Sequence, residues 1–104
     1  MMDRYRIIMT PVAGEEITAI HDWIARNSPD AAARMVLRIL DALEPLKLFP
    51  HRKVVELTSL DLQHPVRSLA VRPYVVFFRV LDADKVVRIL HVRHGAQMAP
   101  EKFD

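Results

Sequence analysis

Two β-prone runs, Tyr74–Leu81 (YVVFFRVL) and Lys85–Arg93 (KVVRILHVR), are separated only by Asp82-Ala83-Asp84. A spacer of that length joins antiparallel neighbours, so the runs form a hairpin. A two-stranded ribbon is at best marginal in water, and one this apolar needs more strands and a covering layer. The rest of the chain has to supply them. Val66–Val71 (VRSLAV), closed by Arg72-Pro73, reads as a further strand, and Arg4–Met9 (RYRIIM) as a first strand that Pro11 stops. His51–Pro65 reads as loop, with room for a small strand at Val54-Val55-Glu56-Leu57.

The cover comes from residues 10–49. Thr10-Pro11 is a helix start, a hydroxyl cap followed by proline at the first helical position. Ala13, Ile17, Ile20 and Ile24 recur on one face with Trp23 beside them. Glu15, Thr18, His21, Asp22 and Arg26 fall mostly opposite, and Asn27 ends the helix. Ser28-Pro29-Asp30 repeats the start signal. Ala32, Val36, Ile39, Leu43 and Leu46 make a second stripe, flanked by Met35 and Leu40. Pro45 ends or kinks that helix, leaving Leu46–Phe49 as a distorted turn. The short Asn27-Ser28-Pro29 connection makes the pair a helical hairpin. The expected fold is α+β, β-α-α-β-β-β, with the hairpin packed on one face of a small, largely antiparallel sheet. Alternation puts Val75, Phe77 and Arg79 on one sheet face and Tyr74, Val76, Phe78 and Val80 on the other. Both sets are apolar, so the pattern leaves open which is core.

The 104 residues suit a single domain spanning the chain, with 98–104 as a frayed tail. At 51% hydrophobic and 27% charged, the composition excludes intrinsic disorder. The absence of Cys excludes a disulfide scaffold, a thiol nucleophile and Cys-based zinc sites. The longest stretch without Lys, Arg, Asp or Glu is Ile7–Gly14, far short of the ~20 residues of a membrane span. The N-terminus shows no apolar signal region, so a cytoplasmic protein is expected. Residues 1–50 carry six basic and seven acidic side chains, and residues 51–104 nine and six. Between 62 and 94, Arg67, Arg72, Arg79, Lys85, Arg88 and Arg93 meet only Asp82 and Asp84. This asymmetry suits an anionic partner, either nucleic acid or an acidic protein segment.

Arg67, Arg79 and Arg93 each sit on a different C-terminal strand. Adjacent strands are about 4.8 Å apart, so these arginines have the spacing to converge and grip a phosphate or carboxylate. The plainer alternative is an exposed face on which their stems cover apolar surface. His91 and His94 are three apart, which on a strand means opposite faces. No third ligand accompanies them, so neither metal nor cofactor is called for. His91 reads as a packed residue, and His94, beside Gly95, as the better candidate for chemistry. A metal-free ribonuclease needs a base, a cation at the phosphate and an acid. His94 or Tyr74 has the chemistry for proton transfer, and Arg67 or Arg79 for holding phosphate. Glu15 and Glu16 are assigned to the helix dipole. Gly14 and Gly95 stand alone, which leaves no phosphate-cradling loop, and no G-x-S-x-G is present.

Several segments in this order resemble the RelE/ParE superfamily of bacterial type II toxin–antitoxin toxins, closer to the ParE branch. They are Tyr5-Arg6-Ile7 with Thr10-Pro11-Val12-Ala13; Ile20–Ile24 with Ser28-Pro29 and Ala32-Ala33; and Leu43, Leu46 and Phe49-Pro50. Val66-Arg67-Ser68-Leu69, Pro73–Val80, and Val87 with Ile89–Ala96 complete the match, which runs from about Tyr5 to Gln97. The resemblance implies a growth-inhibiting toxin of the kind that serves plasmid stabilisation. It would be neutralised by a ParD-like antitoxin whose disordered tail folds onto it, giving a toxin–antitoxin hetero-oligomer.

ParE-like members poison DNA gyrase, and RelE-like members cut mRNA on the ribosome, so the shared fold does not choose between them. The departures from the family pattern do bear on the choice. Where the nucleases carry an arginine four positions before the residue matching Tyr74, this chain has Ala70. Its tail, Gln97–Asp104, holds no tyrosine, and Gln97 replaces the arginine with which many relatives end His-Gly-Ala-Arg. A gyrase-binding toxin with Arg67, Arg79, Arg93 and His94 as contacts to target or antitoxin is therefore the first expectation. A ribosome-dependent mRNA interferase using Arg67, Arg79, His94 and Tyr74 is the alternative. An inactive module stabiliser or DNA-binding co-repressor is a third reading, motivated by Gln97 alone.

Overall fold

Pro11 decides how the sheet is built. The computed structural model describes residues 4–55 and 63–96. Strand β1 (Arg6–Met9) runs parallel to β5 (Val86–His94), from Arg6 opposite Val86 to Met9 opposite Ile89. There it stops, because Thr10-Pro11 turns the chain into α1 (Pro11–Ala25). The Thr10 Oγ accepts the Ala13 N–H at 3.3 Å. Ser28 does the same for α2 (Pro29–Leu43), accepting the Ala31 N–H at 3.1 Å. Both caps are the ones the sequence predicts. After α2 a 3-10 turn over Glu44–Lys47 carries Pro45, and a second covers Pro50–Arg52. Strands β2 (Val54–Val55), β3 (Arg67–Val71) and β4 (Tyr74–Leu81) complete a sheet of order β1-β5-β4-β3-β2. Every pairing except β1–β5 is antiparallel.

The helical hairpin covers one sheet face, as expected, and element ends differ by a residue or two. Helix α1 ends at Ala25 rather than Asn27. Strand β1 starts at Arg6 rather than Arg4, because the Tyr5 N–H leaves the ladder and donates to the Lys47 carbonyl at 2.8 Å. Lys85 belongs to the turn, with φ 54°, and not to β5. Glu56 and Leu57 of the expected small strand, and the expected tail 98–104 with Gln97, lie outside the described residues. Among the described residues no helix is long and apolar enough to cross a membrane.

The register settles which sheet face is core. Tyr74, Val76, Phe78 and Val80 pack under the helices with Val87, Ile89 and Val92. Helix α2 meets them through Met35, Ile39 and Leu43, continued by Leu46. The stripe is thus rotated from the expected one. Met35 is buried where Val36 was expected, and Val36 is half-buried. Both spacings are helical, so the pattern alone does not choose between the two residues. On the other face Val66, Phe77 and Leu90 form a smaller cluster, with Val75 against it. The residues leading into β3 therefore close over part of a face expected to be uncovered. Leu90 is the extra residue of a β-bulge, since Phe77 pairs with His91 and Phe78 with Ile89.

Thr10 joins helix to sheet, because its hydroxyl also donates to the Ile89 carbonyl at 2.7 Å. Thr10→Val removes both the cap and this bond. Urea unfolding is expected to show a loss of about 2 kcal/mol, and an unchanged midpoint would refute the dual role.

Candidate functional site

Beyond Ile89, no strand among the described residues flanks β5 on the side where β1 ended. Helix α1 fills that side with one carboxylate. Glu16 Oε1 accepts the Val92 N–H at 3.1 Å and lies 3.1 Å from His91 Nδ1. Its Oε2 is 3.3 Å from Arg93 Nε, an ion pair whose alignment falls short of a hydrogen bond. The carboxylate acts as the missing strand's acceptor and neutralises Arg93. This corrects the helix-dipole assignment: Glu16 lies beyond the first turn of α1, and no acid occupies that turn. His91 is packed, as expected.

Next to this clamp a groove of ≈ 390 Å³ runs between α1 and the end of β5. Glu16, Ala19, Ile20 and Trp23 form one wall, and Tyr74, Val92 and His94 the other. Trp23 is 65% exposed, and the Arg26 guanidinium lies 5.0 Å from its ring centre. The Tyr74 and His94 rings meet edge to face at 5.6 Å. His94 Nδ1 accepts the Ala96 N–H at 3.0 Å, which leaves Nε2 to carry the proton of the neutral ring. The Gly95 N–H donates to the Pro73 carbonyl at 2.7 Å, and a Cβ at Gly95 would sit 3.2 Å from that oxygen. The strand end therefore lies tightly against the β3–β4 turn, whose Arg72–Pro73 bond is cis. Arg38 holds the same turn from α2, donating to the Arg72 carbonyl at 2.9 Å.

The three strand arginines do not converge. Arg67 pairs with Phe78, on the helix-covered face, and donates to the His51 and Lys53 carbonyls at 3.1 and 3.0 Å. Arg79, the next residue along β4, takes the opposite face beside Arg88 and donates to the His64 carbonyl at 2.6 Å. Arg93 pairs with Val75 but turns over the strand edge to Glu16. Two of the three therefore staple connecting segments to the sheet. Of the site residues predicted from sequence, only Tyr74, His94 and, through Glu16, Arg93 gather in one place. His91 and His94 pair with Phe77 and Tyr74, hence opposite faces, and among the described residues no three His, Asp or Glu cluster with metal-ligand spacing.

Arg67 instead borders a shallow cleft with His51, Gln63, Pro65, Val80 and Asp82. There the Tyr5 hydroxyl donates to Asp82 Oδ1 at 2.6 Å, and His51 Nε2 lies 2.9 Å from the same oxygen. The Tyr5 hydrogen bond, aided by His51 and Lys85, holds the Asp82 carboxyl below the usual aspartate range. Sequence reading misses both this cluster and the Glu16 clamp, because their members lie more than 70 positions apart in the case of Tyr5–Asp82 (77) and Glu16–Val92 (76).

Glu16→Ala strands the Val92 N–H and leaves Arg93 without its counter-ion. The expected loss is about 2–3 kcal/mol in chemical denaturation, with Glu16→Gln, which keeps an acceptor, losing about half as much. Equal stability of the two variants would contradict the clamp. A depressed carboxyl stabilises the fold above its unfolded value, about pH 4, and that contribution fades as pH falls through the lower folded value. Wild type is therefore expected to lose its advantage over Asp82→Asn on acidification below pH ~4. The effect is small because Asp82 is exposed. Thermal unfolding across pH 2–7 checks the direction.

A family model described as the ParE toxin of the type II toxin–antitoxin system, parDE, matches residues 7–99. Toxin RelE2 of Caulobacter vibrioides is 37% identical over 93 residues, covering 89% of this chain and 98% of that protein. The chromosomal ParDE system of P. aeruginosa contains a chain of the same fold, with TM-score 0.67 and 22% identity over 88% of this chain and 96% of that one. The toxin–antitoxin complex RelBE2 of Mycobacterium tuberculosis contains another, with TM-score 0.58 and 21% identity over 93% and 98%.

Proposed function

The chain belongs to the ParE toxin family of type II toxin–antitoxin systems, and from that premise we propose that it arrests growth by docking on a protein target, DNA gyrase, rather than by cutting RNA. The observation that carries this reading is the dispersal of the candidate nuclease groups. Metal-free RNA cleavage needs a base, an acid and a phosphate-binding cation around one phosphorus atom. Tyr74 and His94 sit at one end of the sheet, and the Arg67 and Arg79 guanidiniums are committed to backbone carbonyls elsewhere on it. Surface contacts tolerate that dispersal, and catalysis does not. Arg67, Arg79, Arg93 and His94 then act as recognition or scaffold residues. A cognate ParD-like antitoxin neutralises the toxin in the cytoplasm.

The Tyr74–His94 pair favours a second reading, a ribosome-dependent endoribonuclease in which His94 Nε2 moves the proton. RNA or ribosome would then have to bring the missing cation. Pulse induction of the chain alone in a bacterial host separates the two readings. DNA synthesis is expected to fall before protein synthesis in the first minutes of label incorporation. A prior fall in protein synthesis, abolished by His94→Ala, would overturn the gyrase reading.

A further inference from the structure

The outer side of α2 is not simply a charged, solvated face. Met35, Ile39 and Leu43 point to the sheet. At about 100° per residue, Leu37 falls almost opposite Ile39. It is 58% exposed, and Leu40 beside it is 42% exposed. With the exposed Ala33 they form an apolar strip in the middle of the helix. The charges bordering the strip are ordered along the axis. Arg34 lies three positions before Leu37 and Asp41 four after it, on one flank. Ala33 and Leu40 lie four before and three after, on the other. Among the described residues neither the Arg34 nor the Asp41 side chain makes an ion pair. They are about 10 Å apart along the axis, too far to pair with each other.

We infer that this side of α2 is a self-association surface, on which a second copy of the chain packs antiparallel about a two-fold axis at Leu37. Such an axis brings the same flank of each helix together with its direction reversed. Arg34 then falls within about 1.5 Å, one residue rise, of the level of Asp41 of the second copy, and the pair forms twice. On the other flank the small Ala33 makes room for Leu40 of the second copy, and the two Leu37 side chains meet at the centre. Parallel packing sets Arg34 against Arg34 and Asp41 against Asp41, so the charge order selects the antiparallel arrangement. Asp30 and Glu44 also come level, seven positions either side of Leu37, but Glu44 is already neutralised by Lys47 Nζ at 3.0 Å. Two 15-residue helices, each about 22 Å long, bury well under the ~800 Å² per partner of a standard interface. The dimer is accordingly weak, with Kd on the order of 100 μM. A contact of that strength counts where something else already holds two copies together, because tethering raises effective concentration to the mM range. The inference concerns α2 alone and does not rest on which target the toxin has.

Sedimentation equilibrium of the purified full chain, from about 10 μM to about 1 mM to bracket that Kd, tests it. The apparent mass is expected to climb from one copy toward two. Leu37→Glu is expected to hold the chain monomeric throughout. Arg34→Glu and Asp41→Arg, which set like charges together, are each expected to weaken the dimer about ten-fold. The double variant Arg34→Glu with Asp41→Arg is expected to recover it, because the antiparallel pairs return with their signs exchanged. All three positions are exposed, so each variant keeps the wild-type circular dichroism spectrum. A chain that stays monomeric at the highest concentration, a dimer indifferent to Leu37→Glu, or a double variant no tighter than the single ones overturns the proposal. Growth arrest by the wild-type chain is scored separately and tests the toxin reading alone.

Discussion

A strand that loses its neighbour halfway along must have its backbone groups satisfied by something else, and much of this protein follows from how β5 meets that demand. β1 ends at Met9 because the next two residues form a helix cap and a proline. From Leu90 onward no strand among the described residues pairs with the outer side of β5. An unpaired edge of that kind wastes hydrogen bonds and invites other strands. Here α1 crosses it, with the Thr10 hydroxyl on the Ile89 carbonyl and the Glu16 carboxylate on the Val92 N–H. The same crossing places Glu16, Ala19, Ile20 and Trp23 against Tyr74, Val92 and His94, so the clamp and the groove arise from one event in the chain.

The basic character of the C-terminal half has a more structural role than its composition suggests. Arg67 and Arg79 close the segments entering the sheet by donating to their carbonyls, and Arg93 is neutralised by Glu16. Arginine suits this work because its fork of donors reaches two acceptors at once, as Arg67 does with His51 and Lys53. A scaffold so stapled presents a rigid surface, which limits the ordering cost of binding.

What was legible in the sequence was local. The Thr10-Pro11 and Ser28-Pro29 starts, the Pro45 stop and the β4–β5 hairpin each rest on residues within a few positions of one another, and each appears in the structure. The failure of Arg67 and Arg79 to share a face was also readable in principle. A tight turn at Arg72-Pro73 sets Val71 opposite Tyr74, and counting back sets Arg67 opposite Phe78. The choice of Met35 over Val36, the Glu16 clamp and the Tyr5–Asp82 bond depend on how distant elements meet. One sequence carries no pairwise signal for those contacts.

Amide hydrogen exchange at Val92 tests the central claim most directly. Its N–H donates to a side chain rather than to a strand. If Glu16 stands in for the missing neighbour, Val92 exchanges as slowly as the amides of the β4–β5 ladder in wild type. In Glu16→Ala it speeds up selectively while that ladder stays protected. A Val92 amide that exchanges rapidly in wild type, or one indifferent to Glu16, would contradict the account.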